Sequence, residues 1–403
     1  MAESLFKVVN ANVDREASLL NKVSQLIWNN PELKYEEKFA HDLLSSTLET
    51  KGFTVQKNYV LPTAFRAEFD SGKPGPVVVT ICEYDALPQI GHACGHNLIA
   101  EAGLGAGLAI KAAMEAFPDI PGKVVVLGTP AEEGGGGKVV LINAGAFKDV
   151  DAALMVHPSP NDHLYPPFIA IERVIIEFFG KEAHASGYPW EGVNALDAAV
   201  NCYNGLSQLR QHIKPTCRVH AIITKGGEMP NIIPGYSKMD LYYRAATTYD
   251  MECLRKRIDA IVKASAESTG CEFKIEKGDG YGYKSLMTNK VLAEKYRKYA
   301  ESLGAHFDDS NHKIIPFMAS SDMGDVSHVV PSIHPTYSIG TTAANHSVDF
   351  ADASATPEAQ VTTLITAKSM ALLALDVLRD KDFLDQTKKD FEKDVAEDAG
   401  LQV

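Results

Sequence analysis

Apolar residues recur with two different periods along the first part of the chain, and the change of period separates helices from strands. In "DREASLLNKVSQLIWNN", Leu19, Leu20, Val23, Leu26 and Ile27 form one helical stripe, with Asp14 placed as its N-cap. "EEKFAHDLLSSTLETKG" predicts a second helix that stops at Gly52. "FTVQKNYV", "AFRAEF" and "GPVVVTICEY" then read as strands. The last is apolar at nearly every position, as a central strand covered on both faces should be. "NLIAEAGLGAGLAIKAAMEAF" predicts a long helix of small residues suited to close packing on a sheet. "GKVVVLGTP" and "VDAALMVHP" predict two more buried strands, each ending in a polar loop.

Near residue 168 the pattern changes. "FIAIERVIIEFFG" alternates, "VNALDAAVNCYNGLSQLRQHI" is helical, and "TCRVHAIITKGG", "YSKMDLYYRAAT" and the helix "MECLRKRIDAIVKASAESTG" follow. Strand, helix, strand, strand, helix, strand is the order of a small antiparallel sheet carrying two helices. From about residue 283 helices and buried strands alternate again, ending in "PEAQVTTLITAKSMALLALDVLRD" and a solvated helix or frayed tail, "KKDFEKDVAEDAGLQV". The expected fold class is α/β. A mixed-sheet domain sandwiched by helices, from residues 1–167 and 283–403, is interrupted by an inserted α+β, ferredoxin-like domain at 168–282.

A chain of 403 residues is long for one core, which agrees with two domains. A net charge of −13 from 39 basic and 52 acidic residues argues against nucleic acid as a partner. The apolar runs read as too interrupted to span a membrane, and "MAESLFKVVNANVDREASLL" has neither the basic nor the apolar part of a signal peptide. Six cysteines without disulfide-like spacing fit reduced thiols, and a cytoplasmic enzyme is the expectation.

Four polar clusters, "HACGH", "TPAEEGGGG", "MVHPS" and "TTAANHSVDF", follow predicted strands, where open α/β sheets place their sites. They offer Cys94, His96, Glu133, His157 and His346 as ligands, with Glu132 beside them. A thiolate, imidazoles and a carboxylate suit Zn²⁺ and, less comfortably, Mn²⁺. Five ligands exceed what one catalytic ion keeps, so a pair of ions about 3.5–4 Å apart is the economical reading. Each cluster alone is weak, since a histidine after a strand is usually a core or loop residue and a buried cysteine an inert one. A second set, His184 in "GKEAHASGYPW" with Asn231 and Arg244 in "GGEMPNIIPGYSKMDLYYRAAT", is suited to substrate. An arginine in such a strand either reaches solvent or meets a carboxylate. His334 in "SIHP" is a plausible cleft residue, and Asp322 and Asp325 read as structural.

Together "NNPELKYEE", "HACGHN", "TPAEEGGGGK", "GKEAHAS", "NIIP", "SSDMGDVSHVVPSIHP" and "NHSVDF" resemble the M20 peptidase family over nearly the whole chain, in the branch whose first ligands lie in "CGH". The resemblance implies two divalent ions, Zn²⁺ or Mn²⁺ with Co²⁺ acceptable, held by Cys94, His96, Glu133, His157 and His346, the thiolate bridging. It implies Glu132 as general base and Asp85 as the residue that orients the metal site. It also implies substrate binding by Asn231 and Arg244, and a His184 that reaches a partner subunit's site in a homodimer formed through the inserted lid domain. Many family members have a metal-binding histidine where this chain has Glu83, which is therefore left out of the ligand set. The implied activity is hydrolysis of a dipeptide with a free C-terminal carboxylate and a basic C-terminal residue, of the β-alanyl-lysine kind. The alternatives are an N-acyl-amino-acid or p-aminobenzoyl-glutamate amidohydrolase and, in another class, a non-catalytic subunit of the same fold.

Overall fold

In the computed structural model, residues 2–278, 280, 282–307 and 319–400 are described; the last three residues of the expected tail lie outside them. The chain divides into two units. One runs through Pro167 and resumes from Leu286 to Glu397, and the other spans Phe168–Ser285 with Asp398 added to it.

The first unit begins with α1 (Ala2–Asn29) and α2 (Lys38–Thr50). The first helix starts twelve residues before the expected N-cap, so Asp14 is inside it. Leu5, Val9 and Val13 continue the buried stripe of Leu20, Val23 and Ile27 toward the N-terminus, and that spacing of four keeps the helix going. Asp14 instead pairs with Lys368 at 2.6 Å. The strands β1 (Thr54–Lys57), β2 (Phe65–Asp70) and β3 (Val77–Cys82) lead into α3 (His96–Ala116), β4 (Lys123–Gly128), α4 (Gly137–Asn143), β5 (Ala152–Leu154) and β6 (His157–Ser159). After the second unit come α7 (Lys290–Ser302), α8 (Met323–Ser327), β11 (Ser332–Ile333), β12 (Thr336–Ser338), α9 (Val348–Ala353), α10 (Pro357–Arg379) and α11 (Lys381–Asp398).

Six strands form a mixed sheet in the order β1-β2-β4-β3-β5-β11. The β1–β2 and β2–β4 pairs are antiparallel, and β4, β3, β5 and β11 run parallel. Alternate residues of the central strands serve opposite cores. Val78, Val124 and Val126 pack with α1, α3 and α10, whereas Val79, Ile81, Val125 and Leu127 pack with Leu141 of α4 and Met323 and Val326 of α8. Helices therefore cover both faces, which explains why these strands read as continuous apolar runs. The small residues of α3 allow close approach: a Cβ on Gly103 would stand 2.4 Å from the Ile81 carbonyl oxygen. The "VDAALMVHP" run is two strands rather than one. β5 joins the large sheet, and after Met155 and Val156 the chain passes to β6, which pairs in parallel with β12 in a separate ribbon. Periodicity cannot register this change of partner, because both halves are buried.

α10 corrects the reading of apolar runs, since it is long and apolar enough to cross a membrane. It is instead a core helix, capped by Thr356 with Pro357 in its first turn, and packs on α1, α3 and α7. Side chains at Thr363, Thr366 and Ser369 hydrogen-bond within its own turns.

The second unit is β7 (Ala170–Phe179), α5 (Ala195–Leu209), β8 (Arg218–Lys225), β9 (Tyr236–Ala245), α6 (Thr248–Thr269) and β10 (Glu272–Lys277). Its four strands are antiparallel in the order β10-β7-β9-β8, the ferredoxin-like arrangement. The two helices bury Ala198, Cys202, Leu206, Leu254, Ile258 and Val262 against Ile176, Phe178, Met239 and Leu241. Asn194 and Thr247 cap α5 and α6.

One buried group makes the fold of the first unit sensitive to pH. Burial of Glu101 in α3 pushes its carboxyl up to about 8, although Ser24 and Gln360 offset part of the effect. A carboxyl raised in the folded state binds more protons there than in the unfolded chain, so its contribution falls as pH rises from about 4.5 to about 8. Glu101→Gln should raise the Tm clearly at pH 9, by the equivalent of about 2–4 kcal/mol, and little at pH 5. Melting curves at the two pH values check this; an equal gain at both would contradict it.

Candidate functional site

The parallel strands β3, β4 and β5 all end on one side of the sheet, and the chain leaves each of them through a polar segment. After β3 come Glu83 and Asp85, then the "HACGH" turn into α3. Gly95 separates Cys94 from His96 in the left-handed region at φ 80°, and a Cβ there would lie 2.5 Å from Pro158. Only glycine lets the thiol and the imidazole flank this turn without strain. After β4, Ala131 also has a positive φ of 60°, and it precedes Glu132 and Glu133. His157 opens β6. His346 adopts φ 67°; its backbone N–H donates to Ala93 at 2.8 Å, tying "NHSVDF" to the turn that carries Cys94.

These segments bring six expected residues together. Cys94 with His96 and His157, Cys94 with Glu133 and His346, and His96 with Glu132 and Glu133 form three groups whose donor atoms lie within 4.8 Å of one another. Cys94 Sγ lies 3.4 Å from His157 Nε2, and His346 Nε2 lies 3.3 Å from Glu133 Oε1. Asp85 joins two of the segments: Oδ1 meets His96 Nδ1 at 3.1 Å, and Oδ2 accepts the Glu133 backbone N–H at 3.0 Å. His157 Nδ1 donates to the Pro158 carbonyl at 2.8 Å, which leaves the Nε2 lone pair for Cys94's side of the cluster. Backbone and carboxylate partners of this kind fix the tautomer and orientation of metal-binding histidines.

Burial and mutual repulsion set the protonation of the cluster. Desolvation, followed by Glu133, Glu83 and Asp322, pushes the Glu132 carboxyl well up. For its neighbour Glu133 burial also acts upward, but the His346 hydrogen bond and His96 outweigh it and the carboxyl is lowered. Desolvation and Glu133 raise the Cys94 thiol. Desolvation opposes charge on His96, yet Cys94 and Asp85 overcome it and the imidazole is raised. Burial and the nearby His96 bring His157 down to about 4. An anionic pocket that draws protons onto His96 and Glu132 is one in which a divalent cation can replace them. His96 Nε2 supports that fit: it is fully buried, has no hydrogen-bond partner among the described residues, and faces Glu83 at 3.5 Å and Glu132 at 3.9 Å.

The other expected residues are placed as follows. His334 is buried, its ring centroid 5.5 Å from that of His157, and desolvation holds it neutral. In the second unit His184 is exposed and bridges to Ile232, and Ala185 N–H donates to the Asn231 carbonyl at 3.0 Å. His184 Nδ1 accepts the Gly187 N–H at 3.1 Å, so Nε2 carries the ring proton and is available as a donor. The exposed Tyr188 and Trp190 pack edge to face next to it. Arg244 lies on β9 between Ile171 and Arg218, half-buried, with burial lowering its pKa.

Three residues that the sequence does not single out complete the site. Lys138, fully buried, ion-pairs with Glu83 and with Asp322, the latter at 2.6 Å. Glu37, from "NNPELKYEE", accepts the Ala131 N–H at 2.8 Å, the Tyr35 N–H at 2.9 Å and the Thr63 hydroxyl at 2.8 Å. Burial and nearby Asp85 push its carboxyl up to about 7. Tyr35, itself at φ 65°, donates to the Gly135 carbonyl. Glu37 therefore fastens the strained backbone just before Glu132. A glutamate in a charged loop carries no local mark of this role, because two of the three donors it meets, Ala131 and Thr63, are distant in sequence.

The fold and these segments have known counterparts. Residues 171–270 match the peptidase dimerisation domain of the M20 family. Over 400 residues the chain is 44% identical to the human Xaa-Arg dipeptidase, covering 96% of this chain and 92% of that one. The chain belongs to the M20 peptidase family. It is thus a hydrolase, and its fold is shared with a dinuclear metal-binding M20 peptidase from Bacillus subtilis, TM-score 0.71 at 18% identity, covering 91% of this chain and 99% of the other. A component chain of the p-aminobenzoyl-glutamate hydrolase of Escherichia coli is 32% identical over 72% of this chain and 63% of its own length.

Glu37→Ala should cost about 2–4 kcal/mol by stranding buried donors and should weaken metal binding through Glu133. Glu37→Gln, which keeps an acceptor oxygen, should recover part of both. Denaturation midpoints and metal titrations of the two variants check this; wild-type metal affinity in Glu37→Ala would remove the link to the site.

Proposed function

We propose that the protein is a cytoplasmic, homodimeric dipeptidase that uses two divalent ions, Zn²⁺ or Mn²⁺ with Co²⁺ acceptable, to cleave dipeptides with a free C-terminal carboxylate and a basic C-terminal residue. The observation that carries the reaction class is the pair of ligand groups sharing Cys94, with Glu132 at their edge. Cys94, His96, Glu133, His157 and His346 would hold the ions, Cys94 serving both. Bound there, the ions supply Lewis acidity and make water a nucleophile near neutral pH. The substrate preference follows the similarity to the Xaa-Arg dipeptidase.

Glu132 takes the proton of the attacking water and returns it to the leaving amine. Its environment suits that task, because desolvation and three neighbouring carboxylates raise the proton affinity of its carboxylate and make the ionised form a stronger base. Glu133, immediately adjacent but held ionised by His346 and His96, is the ligand. Two consecutive carboxyls with opposed shifts are thereby given different work. Asp85 holds His96 Nδ1, which would leave Nε2 to hold a metal ion. His184 contributes its Nε2–H to the developing oxyanion. Asn231 and Arg244 bind the substrate carboxylate, Arg244 by paired hydrogen bonds, and His334 completes the substrate-binding set beside His157. The dimer forms through the second unit, whose edge strand β8 exposes Ile222 and whose α5 exposes Val200 and Tyr203.

A p-aminobenzoyl-glutamate or N-acyl-amino-acid amidohydrolase is the second reading, favoured by the similarity to the Escherichia coli hydrolase chain. Assays of β-alanyl-lysine against p-aminobenzoyl-glutamate, with metal content followed, decide between them: the first reading expects the basic dipeptide to be turned over faster. A protein that binds no metal and cleaves neither would overturn both.

Glu132→Gln should retain metal and substrate binding while kcat falls by about 10³-fold or more. Arg244→Ala should raise KM with a smaller effect on kcat, and addition of a guanidinium salt should restore part of the loss. For His184, mixing inactive Glu132→Gln and His184→Ala chains should regenerate activity after subunit exchange. Verified heterodimers without activity would place His184 in its own chain's reaction.

A further inference from the structure

Lys138 is the buried cation of this site, and the proposed reaction gives it nothing to do. It is the second residue of α4, follows the four glycines of "EEGGGGK", and its side chain is 0% exposed. Asp322 holds it at both ends, Oδ1 to Nζ at 2.6 Å and Oδ2 accepting the backbone N–H at 2.9 Å. Glu83, also fully buried, gives Oε1 to the ammonium. Its other oxygen, Oε2, points to the metal-facing His96 Nε2 at 3.5 Å, and neither atom has a hydrogen-bond partner among the described residues.

Chemically, Glu83 and Asp322 are oxygen donors of the type a hard or borderline divalent ion takes. Glu83 and Asp322 each commit one oxygen to the same ammonium. We propose that Lys138 is a resident cation that takes the place of a further metal ion, holding Glu83 and Asp322 out of metal coordination and so limiting the site to two ions. Lys138 is a positioning residue. The inference rests on the two-ion reading above and extends it to the residues that bound the site.

The test measures ions rather than turnover. Wild-type, Lys138→Met and Glu83→Gln chains are stripped with chelator and titrated with Zn²⁺ and separately with Mn²⁺. Ions per chain are counted after desalting, and the metal-induced rise in Tm is recorded. The Lys138→Met chain should bind one ion more than wild type, with a metal-induced Tm rise about twofold larger or more, because its freed carboxylates are stabilised only when a cation is present. The Glu83→Gln chain keeps an acceptor for Lys138 and should bind the wild-type number of ions. Equal ion counts and equal Tm rises in Lys138→Met and wild type would overturn the proposal. So would the loss of an ion in Glu83→Gln, which would make Glu83 a ligand. Where Lys138→Met does not fold without metal, the Glu83→Gln count decides. Wild type binding a single ion refutes the two-ion reading alone, since the difference between variant and wild type still reports on Lys138.

Discussion

Negative charge gathered where β3 and β4 end, with Asp322 from the start of α8, is the constraint around which the first unit is built. Glu83, Asp85, Glu132 and Asp322 are buried and Glu133 nearly so, and the Cys94 thiol lies among them. No apolar packing offsets such a cluster, because each ionised carboxylate taken from water needs partners of its own. The structure supplies them in two ways. Lys138 answers Glu83 and Asp322, while His96, His346 and backbone N–H groups answer Asp85 and Glu133. Burial, followed by the charge of Glu133, Glu83 and Asp322, pushes the Glu132 carboxyl up. The chemistry proposed for Glu132 and the charge that a bound cation would neutralise have one origin.

This constraint also explains the backbone. A turn that must present a thiol and an imidazole on either side of one residue needs glycine at 95, and the segments carrying Glu132 and His346 pass through positive φ at Ala131 and at His346 itself. Such conformations persist only where the surroundings hold them. Here the holding groups are identifiable: Glu37 on the Ala131 N–H, Ala93 on the His346 N–H, and the Asn345 amide on the Pro158 carbonyl at 3.1 Å. The segment that carries Glu37 is in turn fixed to the exit of β3 by the Ala86 N–H, which donates to Glu32 at 2.8 Å. Strain at the site is thus distributed over loops that begin at different strands.

Much of this was legible from the order of residues because period and position coincide. Strands covered on both faces read as unbroken apolar runs, and the polar residues that follow them must lie at one edge of a parallel sheet. Cys94, His96, Glu132, Glu133, His157 and His346 were all visible in that way, and they are found together. Three things were not legible. The helix before Asp14 repeats the stripe of its continuation, so nothing marked Asp14 as an interior residue. The change of sheet after Met155 leaves both halves of the run buried. The roles of Glu37 and Lys138 depend on partners up to 184 residues away, and a single charged residue beside glycines reads as a solvated turn.

Asp85 shows why the cluster acts as one object rather than as separate ligands. One carboxylate oxygen meets the His96 ring and the other takes the backbone N–H of Glu133, so two candidate ligands from different strand ends are set by the same side chain. Burial raises its carboxyl, but the His96 hydrogen bond and charge outweigh this and Asp85 is held ionised. An aspartate that stayed protonated would give one of those acceptors up, and either His96 would turn or the Glu133 backbone would lose its anchor. The positions of His96 and Glu133, candidate ligands that follow β3 and β4, are therefore coupled through a single ionisation. That ionisation is secured by the positive charge drawn to His96, whether a proton or a metal ion supplies it.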